Sequence, residues 1–306
     1  MRVLRAWGFV WILLLVALNV SGCSLQTLKS RPSVIVTYSI MGSLVKELVG
    51  ESMDVTVSIP NGLDPHEWEP SAKDIEAINR ADLVVQNGLS LEGGMEKALS
   101  EAAKRGVRIF TASDYVAIEY IGPGEGIPST DADQQTGAPD PHIWTDPAAM
   151  SLVVNALSRT IKEDFGLDYS TQAAEISSEL ELLNNRVVDM VSGVSIDNRK
   201  LVTGHESLGY FARRYGFQLI GAIIPSLSSQ AGVSAADLAE LKQLIIENQV
   251  KVVFTELGTP AAVASAISQE TGARLVELNV HTSPADGSYS SFVEDLAKTV
   301  TQALQT

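Results

Sequence analysis

From Ser33 onward, short apolar, β-branched runs alternate with stretches of helical periodicity. Strand-like runs fall at Val34–Tyr38, Val55–Ile59, Leu83–Gln86 and Val107–Thr111. Helix-like stretches fall between them at Ser43–Gly50, Ser71–Ala81 and Glu92–Arg105. Such alternation predicts a mostly parallel sheet with helices on its faces. Residues 121–141, rich in Gly, Pro, Asp, Gln and Thr, read as a loop. A helix is expected from Pro147, a residue suited to the first helical turn.

The period then changes. Ile176, Leu180, Leu183, Val187, Met190 and Val194 are spaced alternately by four and three, with no internal Gly or Pro before Gly193. One helix of about 28 residues, roughly 40 Å long, accounts for Asp168 to Ser195. Strand-helix alternation resumes afterwards. Strands are expected at Lys200–Thr203, Gln218–Ile223, Val250–Thr255 and Arg274–Leu278, and helices at Ser207–Tyr215, Ser234–Asn248, Pro260–Thr271 and Ser288–Gln305. Ser234 and Asp237 form a weak capping box. The expected fold is therefore α/β, with two lobes, each a mostly parallel sheet flanked by helices, joined by one long rigid helix. The boundaries are 32–166 for the first lobe, 167–196 for the connecting helix and 197–306 for the second lobe. A stiff helix between lobes implies small lobe motions.

What precedes Ser33 belongs to export. Arg2 and Arg5 open the chain, Trp7 to Leu18 form an apolar run, and Val20-Ser21-Gly22-Cys23 follows. Residues 1–22 read as a signal peptide and 23–31 as a lipidated tether. The lipid sits on Cys23, the only cysteine. The mature protein is then anchored to a membrane, not embedded in it. Loss of Arg2 and Arg5 takes the formal charge from −15 to −17, which argues against a nucleic-acid partner. A single cysteine excludes an internal disulfide framework.

Only four histidines are present. Two lie in near copies of one pentapeptide, Asp64-Pro65-His66-Glu67-Trp68 and Asp140-Pro141-His142-Ile143-Trp144, which also hold both tryptophans of the mature chain. His205 follows the strand Lys200–Thr203, and His281 follows the strand Arg274–Leu278. All four thus read as lying just beyond strands, two from each lobe, where open α/β sheets bind ligands. Neutral imidazole is a favoured zinc ligand, and four ligands complete a tetrahedron. Asp64 and Asp140 are expected to accept a hydrogen bond from an imidazole N–H, and the tryptophans to wall the site from water. Glu256, after the strand Val250–Thr255, is a further acceptor candidate. Asp286 is the alternative fourth ligand, while Glu67 and Glu206, beside histidines, read as solvated carboxylates.

Several longer stretches extend this pattern: G-x-D-P-H-x-W-E-P at Gly62–Pro70, D-P-H-x-W-x-D-P at Asp140–Pro147, and H-E-S-x-G-Y-F-x-x-x-Y-G at His205–Gly216. V-V-F-T-E at Val252–Glu256 and A-D-G-S-Y at Ala285–Tyr289 follow. Across the mature chain these resemble the metal-specific solute-binding proteins of bacterial ABC transporters, the TroA-like zinc and manganese group. The resemblance implies two lobes joined by a long helix and a metal held in the cleft at the positions of His66, His142 and His205. It also implies delivery to a permease and its ATPase. The chain departs from the group at the fourth ligand, usually a carboxylate, where His281 stands. Residues 121–141 are acidic but contain no histidine, which speaks against an auxiliary metal-collecting loop.

A ligand set of imidazoles favours Zn2+ as the transported ion, with Mn2+ as the alternative. The expected protein is a monomeric, lipid-anchored extracytoplasmic receptor, not an enzyme. A zinc hydrolase would need an open coordination position and a general base, and neither HExxH nor G-x-S-x-G occurs. A metal-bound adhesin is the third reading.

Overall fold

A computed structural model describes residues 31–121 and 137–305. The signal peptide, Cys23, most of the tether and residues 122–136 of the expected loop lie outside the described residues. Among those described, no helix is long and apolar enough to cross a membrane.

The first half builds a four-stranded parallel sheet in the order β2-β1-β3-β4 from β1 (Ser33–Val36), β2 (Asp54–Val57), β3 (Leu83–Gln86) and β4 (Arg108–Thr111). The sequence explains this order. β1 and β3 carry continuous apolar runs that are buried on both faces, as inner parallel strands must be. β2 alternates polar with apolar residues, β4 begins and ends on polar Arg108 and Thr111, and both take the edges. Helices α1 (Ser39–Val49), α2 (Ala72–Arg80) and α3 (Glu96–Lys104) connect the strands. Ser71 and Asp74 close a capping box on α2. The observed strands β1 and β2 stop two residues earlier than expected. After β1, Tyr38 already caps α1. Helix α3 starts at Glu96, not Glu92, because Glu92 turns its carboxylate inward and Gly93–Met95 form a 3-10 turn.

Two helices follow, α4 (Pro147–Phe165) and α5 (Ser170–Ser192). Asp146 caps α4, accepting from Ala148 N–H, with Pro147 at its first position. Helix α5 has 23 residues, about 35 Å long, shorter at both ends than the spacing alone suggests. It buries Ala173, Ile176, Leu180, Leu183, Val187 and Val191. Val191 takes the place expected for Met190, because a strict 4-3 spacing drifts around a 3.6-residue helix. The helix packs along α4 and α9 (Tyr289–Leu304).

The second half holds β5 (Lys200–His205), α6 (Gly209–Tyr215), β6 (Gln218–Ile224), α7 (Ala235–Glu247), β7 (Val252–Thr255), α8 (Ala261–Thr271) and β8 (Arg274–Glu277). Its strands form two parallel ladders, β5–β6 and β7–β8, with β5 lying beside β7. At the end of β5, Gly204 N–H is directed at the Glu256 carboxylate (3.2 Å) and not at a neighbouring strand. The capping box of Ser234 and Asp237 forms as expected. One apolar core runs from Val34 in β1 through Trp144 to Leu208, Phe211, Val280 and Tyr289, so both halves share it. A smaller core, including Val202, Ile223, Leu241 and Ile267, fills the far side of the second half.

Candidate metal centre

The four histidines reach the site by three local devices. In both D-P-H copies the aspartate accepts the backbone N–H of its own histidine, Asp64 Oδ1 from His66 and Asp140 Oδ1 from His142, each at 2.9 Å. This is an Asx-type turn. The intervening proline has no N–H to compete and fixes φ. His205 is the last residue of β5. His281 stands at the tip of a turn after β8, which Asn279 closes by donating Nδ2–H to Thr282 O (2.6 Å) and accepting from Thr282 N–H (2.9 Å).

The four rings meet. His66, His142, His205 and His281 are all buried, and each offers a ligand atom within 4.8 Å of every other. His142 Nε2 lies 3.3 Å from His66 Nε2 and 3.2 Å from His205 Nε2. Nitrogens on a tetrahedral zinc with Zn–N of about 2.0–2.1 Å stand about 3.3 Å apart. Two carboxylates fix ring orientation. His142 Nδ1–H donates to Asp140 Oδ1 (2.7 Å), and His205 Nδ1 pairs with Glu256 Oε2 (2.7 Å). With Nδ1 so engaged, each ring turns an Nε2 lone pair to the centre. Glu256 is itself held by the Ser207 hydroxyl (2.9 and 3.0 Å) and Gly204 N–H. Both nitrogens of His281 are buried without a hydrogen-bond partner.

Electrostatics follow the same division. Burial, then the neighbouring imidazoles, hold His66 and His281 well below the usual histidine range, favouring the neutral, ligating form. For His205 burial acts in the same sense, but Glu256 opposes it by charge and hydrogen bond, with Asp64 and Asp140 adding, and the net shift is upward.

Three expectations need correction. Asp64 hydrogen-bonds the His66 backbone and no imidazole, and its Oδ2 is buried without a partner. The second D-P-H copy does not leave a strand; it precedes a 3-10 turn (Ile143–Thr145) and α4. Only Trp144 walls the site, its ring centroid 5.2 Å from that of His142 and 5.8 Å from that of His281. Trp68 is half-buried and packs on the core. Asp286 stands apart, exposed, capping the start of α9 through Ser288 N–H and the Ser291 hydroxyl. Neither Glu67 nor Glu206 belongs to the converging group.

Other contributors gave no sequence signal. Buried Glu92 accepts from the Thr37 hydroxyl (2.6 Å) and Asn87 N–H (2.7 Å). Asn87 in turn donates to Pro141 O (2.8 Å), beside His142, and accepts from the Tyr38 hydroxyl. Trp144 Nε1–H donates to Val280 O (2.8 Å), next to His281. The opening above His66 is rimmed by Leu89, Ser90, Pro139, Pro141, Leu227 and Ser228, none of them charged.

Residues 34–303 match the family described as ZnuA, zinc-uptake complex component A, periplasmic. The chain belongs to this family. Among its relatives, the high-affinity zinc uptake system protein ZnuA of Bacillus subtilis is 27% identical over 297 residues, covering 90% of this chain and 88% of the relative. The manganese-binding lipoprotein MntA of Halalkalibacterium halodurans is 24% identical over 272 residues, covering 86% and 85%. The solved structure of the periplasmic zinc-binding protein TroA from Treponema pallidum superposes with a TM-score of 0.76 at 24% identity. It covers 90% of this chain and 99% of that one. The parallel sheets flanked by helices are thus the TroA-like two-lobe fold. The family consists of metal-binding transport proteins.

Proposed function

We propose that this chain is the extracytoplasmic receptor of a zinc importer. It captures one Zn2+ on Nε2 of His66, His142 and His205 and on a ring nitrogen of His281, and delivers it to an ABC permease driven by its ATPase. Residues 32–166 and 197–306 are its lobes, 167–196 the connecting helix, and lipid on Cys23 anchors the monomer to the membrane. The single observation that carries the reading is four buried imidazoles whose ligand nitrogens lie within 4.8 Å of one another, two of the separations being 3.2 and 3.3 Å. A cation on one ring nitrogen of His281 would give a partner to one of its two buried nitrogens.

The donor set supports zinc over manganese. Among the described residues no carboxylate oxygen belongs to the converging group, and manganese is the ion that oxygen donors suit. The manganese-binding relative keeps Mn2+ as the competing reading. Four protein donors also close the coordination sphere, whereas a hydrolytic zinc keeps a position for water.

The test is titration of chelator-stripped protein with Zn2+ and Mn2+, alongside alanine variants of each histidine and of Asp286. The expected result is one Zn2+ per chain, weaker Mn2+, loss of about a hundredfold or more in affinity for each histidine variant, and no change for Asp286→Ala. Equal binding by all variants would remove the site, and tighter Mn2+ than Zn2+ would move the cargo to manganese.

A further inference from the structure

Three of the four histidines are held from nearby. His142 and His205 have carboxylates on Nδ1, and the His66 backbone is fixed by its own aspartate. His281 has none of these, since both its nitrogens lack a partner. Beyond ring packing against His205 and Trp144, what fixes it acts on its backbone. Three hydrogen bonds to two residues of the first half of the chain bracket it. Trp144 Nε1–H reaches Val280 O, one residue before. Asn61 reaches Ser283, two residues after, with Nδ2–H donating to Ser283 O (3.0 Å) and Oδ1 accepting from Ser283 N–H (2.8 Å). The Asn61 carboxamide thereby pairs with one residue as a peptide group of a neighbouring strand would. Its orientation is set, because Oδ1 also accepts from the Ser39 hydroxyl at the start of α1 (2.8 Å). Asn61 sits five residues before His66, on the same loop, so it ties the loop of one histidine to the turn of another.

We propose that Asn61 is a positioning residue for His281. By latching Ser283 it holds the 279–283 turn closed on the centre, setting how firmly the fourth donor is presented and how fast the ion leaves. This rests on the zinc reading above. Asn61 is exposed and Ser283 half-buried, so removal of the latch leaves the core intact.

The experiment is a double-mutant cycle on the purified protein, using Zn2+ affinity, Zn2+ release into excess chelator, and the visible ligand-field spectrum of the Co2+ form. Asn61→Ala should weaken binding and speed release about tenfold, the loss expected of two exposed hydrogen bonds. Its Co2+ spectrum should shift toward that of His281→Ala. Asn61→Asp keeps the acceptor for Ser283 N–H and Ser39 but sets a carboxylate oxygen against Ser283 O, and should weaken binding at least as much as Asn61→Ala. In a His281→Ala background, Asn61→Ala should add nothing to the loss of affinity, because the ring it positions is gone. Wild-type release and spectrum in Asn61→Ala would overturn the proposal, as would an equal loss of affinity in both backgrounds, which would place the latch's effect elsewhere. If wild-type protein itself failed to take up Zn2+ or Co2+, the zinc reading would fall instead.

Discussion

Replacing Glu256 by glutamine changes almost no volume but attacks the tautomer of His205. Glu256 Oε2 takes His205 Nδ1–H at 2.7 Å, while Oε1 accepts from Gly204 N–H at 3.2 Å. Two donors on opposite oxygens need two acceptors, and a carboxylate supplies both. A glutamine supplies one. If its oxygen stays on His205, its NH2 faces Gly204 N–H, donor against donor. If it turns, its NH2 faces His205 Nδ1, which must then accept, and the proton moves to Nε2, occupying the lone pair that points at His142. Either arrangement costs binding, and the charge that steadies the metal-bound imidazole is lost in both. Loss of such an outer partner lowers metal affinity about ten- to a hundredfold, on the order of 1.4–2.8 kcal/mol. The assay is Zn2+ competition against a chromophoric chelator near neutral pH, with thermal unfolding of the metal-free protein run in parallel to register any general damage. Unchanged affinity in Glu256→Gln, with unchanged unfolding, would refute tautomer control and leave Glu256 a structural anchor for Gly204 and Ser207.

Two other substitutions probe the surroundings. A methyl group on Gly209 would overlap Asp140 Oδ2, so Gly209→Ala should push Asp140 off His142 and weaken Zn2+ binding about tenfold, although alanine favours helix there. Gly232→Ala, with open space around it, should bind as wild type in the same titration. Burial raises the Glu92 carboxyl above its usual range despite hydrogen bonds from Thr37, Asn87 and Gly88. A raised folded-state value means stability is present below the unfolded value and is lost as pH rises through the folded one. The melting temperature of metal-free wild type minus that of Glu92→Gln should therefore fall between mildly acidic and alkaline pH, and a difference independent of pH would contradict the buried charge.

Much of the frame is legible in the sequence because burial period and strand order are coupled. Continuous apolar runs at Val34–Val36 and Leu83–Val85 mark inner strands, and Leu83–Gln86 is observed with the expected bounds. Element starts shift where a side chain serves a distant partner. Glu92 and Ser207 look like first-turn residues of helices but turn to Thr37 and Glu256. The convergence of four imidazoles is suggested by a duplicated D-P-H, yet Asp64 and Asp140 sit in the same local sequence and differ in what they hold. Both make the turn that the motif dictates. Only His142, wedged against Trp144 and two other rings, swings its Nδ1 back onto its own aspartate. That choice depends on packing from three other segments. Asn61 carries no local mark at all, since its partner Ser283 is 222 residues away.

The way the rings are held bears on how the ion would leave. Separating the halves of the chain would strip Leu208, Phe211 and Tyr289 from the core they share with Val34 and Trp144. Exposing a large apolar side chain costs about 1.5–3 kcal/mol, so these three alone oppose separation by on the order of 4.5–9 kcal/mol. Helix α5, packed along α4 and α9, adds to this resistance. Lifting the 279–283 turn instead breaks the Trp144–Val280 bond and the two Asn61–Ser283 bonds, each about 0.5–1.5 kcal/mol, and takes Val280 alone out of the shared core, at about 1.5–3 kcal/mol. The local route has the lower barrier from protein contacts. It also removes an imidazole that no carboxylate holds, leaving His142 and His205 fixed by Asp140 and Glu256 and poised for the next ion. A partner that engaged this turn could thus drive release without prying apart the core.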